Sequence, residues 1–283
     1  MSTPSRPPRC RHPLLDRLRP AGIALVMLIA PALAGAMDIV ASDAGFVTEV
    51  GGSAKGDGTV VPAAKYNYSV GFEEHYGSGA LGAPLVPMLR KNYFVFDLSG
   101  LTTTIASAKL KLWTGTFESV DPAEIFALHE TTDVGMAAGL AADLLGGAST
   151  DDFDEPTDPL VGAAALLYAK LADGPLVLAS AVITSALDDS FIEIEFGAAG
   201  VAYLNTFLDG VLVLGGLVPS VDPPPFPQQP FGATGPDIPG GDPLTPVLML
   251  TPVPEPTRVV LLLAGGVLLA ARRLAQVRGR QRP

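Results

Sequence analysis

Carboxylates are the residues of this chain best placed to do chemistry, and they are most concentrated between residues 151 and 158. Five of these eight residues are acidic: Asp151, Asp152, Asp154, Glu155 and Asp158. Several oxygen ligands on one loop are what Ca²⁺ prefers, although the glycine and ligand spacing of an EF-hand loop are missing. The sequence therefore predicts either a calcium site, with Ca²⁺ as the one cofactor it suggests, or a solvated acidic loop.

The sequence gives little support for a histidine metal site or for a serine hydrolase. Beyond residue 36 the chain contains two histidines, His75 and His129, which excludes a histidine-rich metal site. His75 follows Glu73 and Glu74 in a segment that we expect to be a solvated loop. No G-x-S-x-G motif is present to support a serine hydrolase. We expect a protein that is not an enzyme; a glycosidase whose two carboxylates come from separate strands is the alternative.

The single tryptophan is the candidate residue for ligand binding. In a strand, side chains alternate between the two faces, so Lys109, Lys111 and Trp113 share one face, opposite Ala108, Leu110 and Leu112. An aromatic ring beside two lysines on an open sheet face is suited to contact a ligand. Burial of Trp113 under a loop is the alternative.

The distribution of charge excludes one class of partner. Residues 37 to 257 contain 28 acidic and 7 basic residues, a net charge of −21. Such a domain repels nucleic acids and anionic membrane surfaces, so we expect no nucleic-acid partner. The only cysteine, Cys10, precedes this segment, which therefore has no disulfide and no thiolate nucleophile.

The first 36 residues have the layout of a secretory signal peptide. A basic, proline-rich start is followed by an apolar run over residues 21–30 and a stretch of small residues over 31–36. Two A-x-A sites predict cleavage after Ala34 or Ala36, of which we favour Ala36. We therefore expect export through the Sec machinery.

The last 33 residues carry a second targeting pattern. Pro254, Glu255 and Pro256 precede an apolar run over residues 259–271, and Arg272 and Arg273 follow it. An apolar helix that ends in positive charge is typical of a membrane segment with its tail in the cytoplasm. Because the run is short for a permanent anchor, we expect a temporary stop in the inner membrane.

This order of motif, apolar helix and arginine cluster resembles the PEP-CTERM sorting signal of Gram-negative bacteria, over residues 251–283. The resemblance implies recognition of Pro254, Glu255 and Pro256 by an exosortase, an inner-membrane cysteine protease. The enzyme would remove the helix as the protein passes to the cell surface or the exopolysaccharide matrix. The alternative is a tail anchor with a chance triplet.

Between the two ends, short β-prone runs alternate with clusters of Gly, Pro and Asp, which predicts an all-β sandwich. Helical spacing predicts short helical insertions at the edge of the sandwich. Dense prolines predict a long surface loop over residues 219–246. The expected strands are 38–41, 46–50, 93–98, 107–114, 125–129, 176–183, 191–196, 211–214 and 247–251, and the expected helices are 136–145, 160–172 and 198–208.

A second resemblance lies in the middle of the chain. Residues 90–101 and 105–112, which include Arg90, Tyr93, Phe96 and Asp97, are similar to a stretch of DNRLRE-type jelly-roll domains. Those domains are linked to polysaccharide-binding modules of secreted proteins. The resemblance implies a jelly-roll-like sandwich and a polysaccharide ligand.

These patterns together predict a signal peptide over residues 1–36, an exported β-sandwich domain over 37–250 and a sorting signal over 251–283. The function we expect is that of a noncatalytic protein of the Gram-negative cell surface or exopolysaccharide matrix, with exopolysaccharide as ligand and with the exosortase and Sec machinery as partners during export. A polysaccharide-active enzyme and a purely structural surface subunit are the alternatives.

Overall fold

Two antiparallel β-sheets form the body of the chain in a computed structural model. The structure describes residues 35–49, 53–55, 68–76, 85–115, 117–144, 159–219, 228–231, 245–253 and 265–267. Both sheets belong to one unit, Gly35–Val253. Of the other unit, residues 1–34 and 254–283, the structure describes one helical turn at 265–267.

Short strands dominate the described ranges, with three helices among them. The strands are β1 (Met37–Val40), β2 (Asp43–Thr48), β3 (Ser53–Lys55), β4 (Val70–Tyr76), β5 (Leu85–Asp97), β6 (Ile105–Thr114), β7 (Glu124–His129), β8 (Val177–Ile183), β9 (Ser190–Glu195), β10 (Val211–Leu217), β11 (Gln228–Phe231) and β12 (Val247–Pro252). The helices are α1 (Val134–Asp143), α2 (Pro159–Lys170) and α3 (Ala198–Leu204).

The strands divide into a small and a large sheet. The small sheet has the order β1-β12-β6-β9, so β6 is an inner strand with a neighbour on each side. The large sheet runs β11-β4-β5-β10-β7-β8, and β2 pairs with both β5 and β3. Strand β5 is long enough for its first half to pair with β4 and its second half with β10.

Apolar side chains from both sheets meet in one core. Phe94 and Phe96 of β5 face Leu110 and Leu112 of β6 across this core, as the period of two in each strand requires. All four are fully buried. The predicted β-sandwich class is confirmed. The same core contains the buried residues Phe126, Leu128, Ile192, Ile194, Leu212, Leu214, Leu248 and Leu250.

A pair of helices covers the other face of the large sheet. Tyr93 and Val95 of β5 point away from the sandwich core and pack against α1 and α2. The helices present small residues, among them Ala137 and Ala164, which let them approach the sheet closely. The expectation that the helical insertions cap the sandwich edge is wrong for α1 and α2, because β5 is apolar on both faces and its outer face must also be buried.

Lys91 tethers α2 to the large sheet. Its ammonium donates hydrogen bonds to the carbonyl oxygens of Tyr168, at 3.1 Å, and Leu171, at 2.8 Å. Carbonyls at the carboxyl end of a helix lack partners within the helix and carry partial negative charge, so a cation there is favourable. Burial lowers the pKa of Lys91, and the nearby Asp173 carboxylate acts in the opposite direction.

Tyr203 connects α3 to the segment after β7. Its hydroxyl donates to the Thr131 carbonyl at 2.9 Å and accepts from the Thr131 N–H at 3.2 Å. Burial raises the pKa of Tyr203 to about 12; the Thr131 hydrogen bond opposes the shift, and Glu130 and Asp173 add to it. The neutral phenol is therefore the form that the fold favours.

Three strands lie where the sequence did not predict them. β3 is short, and β4 contains Glu73, Glu74 and His75, which we expected in a solvated loop. β11 lies inside the predicted 219–246 loop and includes Pro230. A proline is tolerated there because β11 is the last strand of its sheet, where a missing N–H costs little.

Among the described residues, no helix has the length and apolar character needed to cross a membrane. The predicted membrane helix over 259–271 lies outside the described residues, except for the helical turn at 265–267. The predicted cleavage position Ala34 and the sorting residues Pro254, Glu255, Pro256, Arg272 and Arg273 also lie outside them.

The Lys91 tether gives a stability prediction. Lys91→Met keeps most of the aliphatic stem and leaves the two carbonyls without their charged donor, so we expect a loss of about 1–3 kcal/mol in the free energy of unfolding. Urea unfolding measures it. Lys170→Met removes a cation from the last turn of the same helix and should cost less than about 1 kcal/mol. Equal losses in the two variants would contradict the tether.

The shifted tyrosine gives a pH prediction. Because the folded state raises the pKa of Tyr203 from 10.0 to about 12, its contribution to stability is fully present below pH 10 and is lost as the pH rises towards 12. Burial raises the pKa of Tyr168 to about 12 as well. We expect the melting temperature to fall over this range and to fall less steeply in Tyr203→Phe. An identical slope in the variant would show that Tyr203 is not responsible.

Candidate functional site

The outer face of the small sheet holds the candidate ligand-binding residue. Strand β6 alternates as predicted: Ala108, Leu110 and Leu112 are buried in the core, whereas Lys109 and Lys111 are half-exposed on the opposite face together with Trp113. Trp113 is partly buried and also packs at the margin of the core. The alternation within β6 is confirmed.

The pairing of β6 with β9 adds a second row of side chains to this face. Phe191 lies directly across from Trp113, Glu193 from Lys111, and Glu195 from Lys109. Side chains directly opposite each other in an antiparallel pair are close enough to interact. Two strands that are far apart in sequence therefore bring together two aromatic rings and, next to them, two lysines and two glutamates.

Trp113 and Phe191 form an aromatic pair. Their ring centroids are 5.0 Å apart and the ring planes meet at 74°, an edge-to-face arrangement. The Lys111 ammonium lies 4.3 Å from the centroid of the Phe191 ring, within the range of a cation–π contact. Phe191 remains 37 % exposed, so the pair presents an apolar ring to solvent.

The charges beside the rings are paired diagonally. The Lys109 ammonium lies 3.0 Å from a carboxylate oxygen of Glu193, although Glu195 is its direct neighbour across the strands. The hydrogen bond to Glu193 raises the pKa of Lys109, and the charges of Glu193 and Glu195 add to the shift. An exposed pair of this kind contributes little to stability, so its main effect is to order the polar part of the face.

Tyr68 supports Trp113 from inside the sandwich. Its hydroxyl accepts from the Trp113 N–H at 2.8 Å and donates to the Trp113 carbonyl at 3.0 Å. The Tyr68 side chain is fully buried, with its ring edge-to-face on Phe94 at 5.6 Å. Because the ladder between β12 and β6 starts with Val247 opposite Lys111, the tyrosine hydroxyl bonds the backbone of β6 just beyond that ladder.

The face continues across the other two strands of the small sheet. Strand β12 places Val247 beside Lys111 and Met249 beside Lys109. Strand β1 adds Asp38 and Val40, the latter 57 % exposed. The result is a surface of mixed polarity, with the aromatic pair at one end and charged groups at its centre.

Other residues from the sequence analysis do not join this face. Asp151, Asp152, Asp154, Glu155 and Asp158 lie outside the described residues, in the segment that links α1 to α2. His129 ends β7 in the large sheet, and Ala36 is exposed immediately before β1. In the parts of the chain that are described, no three His, Cys, Asp or Glu side chains are grouped to hold a metal ion.

The sequence analysis did not identify two residues of the candidate site, Phe191 and Tyr68. A period of two does put Phe191 on the same face as Glu193 and Glu195, and that was the available signal. It could not show that β9 lies beside β6. Tyr68 carries no such signal, because its role depends on the buried approach of its hydroxyl to another strand.

Comparisons with protein-family models and with curated proteins find no match. The PEP-CTERM and DNRLRE resemblances therefore stay predictions from the sequence.

Tyr68 can be tested with the only tryptophan of the chain as reporter. Tyr68→Phe removes both hydrogen bonds to the Trp113 backbone, and we expect a loss of about 1–2 kcal/mol in the free energy of unfolding and a red shift of tryptophan emission. Tyr203→Phe removes a hydroxyl that bonds to Thr131 instead, so it should leave the emission unchanged. Unchanged emission in Tyr68→Phe would contradict the support of Trp113 by Tyr68.

Proposed function

We propose that the chain is an exported, noncatalytic protein of the Gram-negative cell surface or exopolysaccharide matrix. It binds exopolysaccharide through the outer face of the small sheet. The single observation that carries the proposal is the aromatic pair of half-buried Trp113 and exposed Phe191, beside the ion pair of Lys109 and Glu193. Sugar rings offer apolar C–H surfaces to aromatic side chains and hydroxyl groups to polar ones, so a face with both elements suits them.

The sandwich is, in this proposal, jelly-roll-like, as the resemblance of residues 90–112 implies. Its two antiparallel sheets support that interpretation. Strands β6 and β9 give the binding residues a rigid base, which favours a preformed surface over a mobile loop.

Export follows the two terminal signals. The Sec machinery exports the chain, and residues 1–36 are removed by cleavage after Ala36. An exosortase recognises Pro254, Glu255 and Pro256 while the helix over 259–271 rests temporarily in the inner membrane. The exposure of Ala36 directly before β1 supports cleavage there, because a protease needs an accessible, extended segment. The net charge of −21 over residues 37–257 favours solubility in a hydrated matrix.

Co-sedimentation with the exopolysaccharide of the producing cell tests the proposal. The processed form, residues 37–253, contains both sheets and is mixed with the polymer in calcium and then in chelator, and the polymer is sized afterwards. We expect the protein to pellet with a polymer of unchanged length. Calcium dependence would assign Asp151, Asp152, Asp154, Glu155 and Asp158 to a Ca²⁺ site.

Variants locate the binding face. Trp113→Ala and Phe191→Ala should each weaken binding by about tenfold, equivalent to about 1.4 kcal/mol. Val182→Ala is the control, because Val182 is 61 % exposed on the large sheet. Shortening of the polymer would favour the enzyme alternative. Absence of pelleting would refute polysaccharide binding and leave a structural surface subunit as the better account.

A further inference from the structure

We propose that the face formed by β6 and β9 holds a neutral glycan chain, with Phe191 and Trp113 against a sugar ring and the charged groups on its hydroxyls. This inference rests on the proposed function and names the ligand class of the same site. It is drawn from the balance of charge on the face and from the charge of the domain around it.

The cations of the face are matched by carboxylates. Lys109 and Lys111 lie across from Glu195 and Glu193, and Lys109 already makes an ion pair with Glu193 at 3.0 Å. Asp38 adds a further negative charge on β1. An acidic sugar placed here would meet three carboxylates and two ammonium groups, so the face offers no net attraction for an anion.

Lys111 contacts an aromatic ring. Its ammonium lies over the Phe191 ring, 4.3 Å from the centroid, so a ligand that contacts this ring also meets an N–H donor. Sugar hydroxyls both donate and accept hydrogen bonds, which matches a surface where ammonium donors alternate with carboxylate acceptors. A carboxylate or sulfate accepts only, and it would leave Glu193 and Glu195 facing a like charge.

The surrounding domain reinforces this selection. With a net charge of −21 over residues 37–257, the domain repels an anionic polymer at distances up to the screening length, about 8 Å at physiological ionic strength. A neutral chain meets no such barrier. Its binding should therefore depend little on salt.

The experiment compares one polymer in two charge states. The exopolysaccharide of the producing cell is used as isolated and after reduction of its carboxyl groups to alcohols, both in chelator so that no divalent ion bridges charges. Affinity of the residue 37–253 form is measured at about 0.02 M and about 0.5 M NaCl. We expect the reduced polymer to bind at least as tightly as the native one, with less than about a threefold change between the two salt concentrations.

Two variants separate donor chemistry from charge. Lys111→Gln keeps a hydrogen-bond donor and removes the positive charge, so it should retain affinity within about threefold, whereas Phe191→Ala should lose about tenfold. Cooperative urea unfolding of each variant verifies that the domain remains folded.

The outcomes distinguish the two proposals. A loss of about tenfold on carboxyl reduction, or in Lys111→Gln, would show that the face binds an anionic glycan; the ligand class would be overturned while the proposed function stands. Binding that is indifferent to both Trp113→Ala and Phe191→Ala would place the glycan elsewhere and overturn this inference. Absence of binding to both polymers would refute the proposed function itself.

Discussion

Strand β5 is apolar on both faces, and the arrangement of the molecule depends on that constraint. Phe94 and Phe96 face the small sheet, whereas Tyr93 and Val95 face α1 and α2. Apolar surface on two sides of a sheet has to be removed from water by two separate layers. The small sheet therefore covers one face and the helices cover the other, and Lys91 ties the second layer down through the end of α2.

The small sheet is under a different constraint, because the outer faces of β6 and β9 carry charged residues. Leu110 and Leu112 complete the core, and the intervening residues Lys109 and Lys111 are half-exposed on the opposite side. Such a face is free to display Trp113 on the inner strand β6 and Phe191 on the neighbouring end strand β9. Tyr68 links this outer face to the core, because its buried hydroxyl makes hydrogen bonds to the backbone of Trp113. The residues of the candidate site are therefore positioned by the same packing that stabilises the sandwich.

The two ends of the domain are brought together by the small sheet. Strands β1 and β12 are antiparallel neighbours, with Met37 opposite Leu250. The segment before β1 and the segment after β12 thus leave from the same end of adjacent strands. Both predicted targeting signals join the domain there, and their removal would leave the pairing of β1 with β12 unbroken. This arrangement fits the proposed route of export.

The sequence by itself was sufficient for the β-sandwich class, for the helices near 136, 160 and 198, and for the face on which Trp113 lies. These are local properties, because the period of two in β6 and the helical spacing of apolar residues depend only on residues that are close together in the sequence. The sequence did not reveal β4 or β11, because their charged and proline residues are typical of loops. These two segments form strands because they pair with each other and, in the case of β4, with β5. Only the tertiary structure decided that α1 and α2 lie on the large sheet, that Phe191 meets Trp113 and that Tyr68 lies behind it. Those contacts join distant segments, and their register is set by the burial of apolar surface across the whole domain.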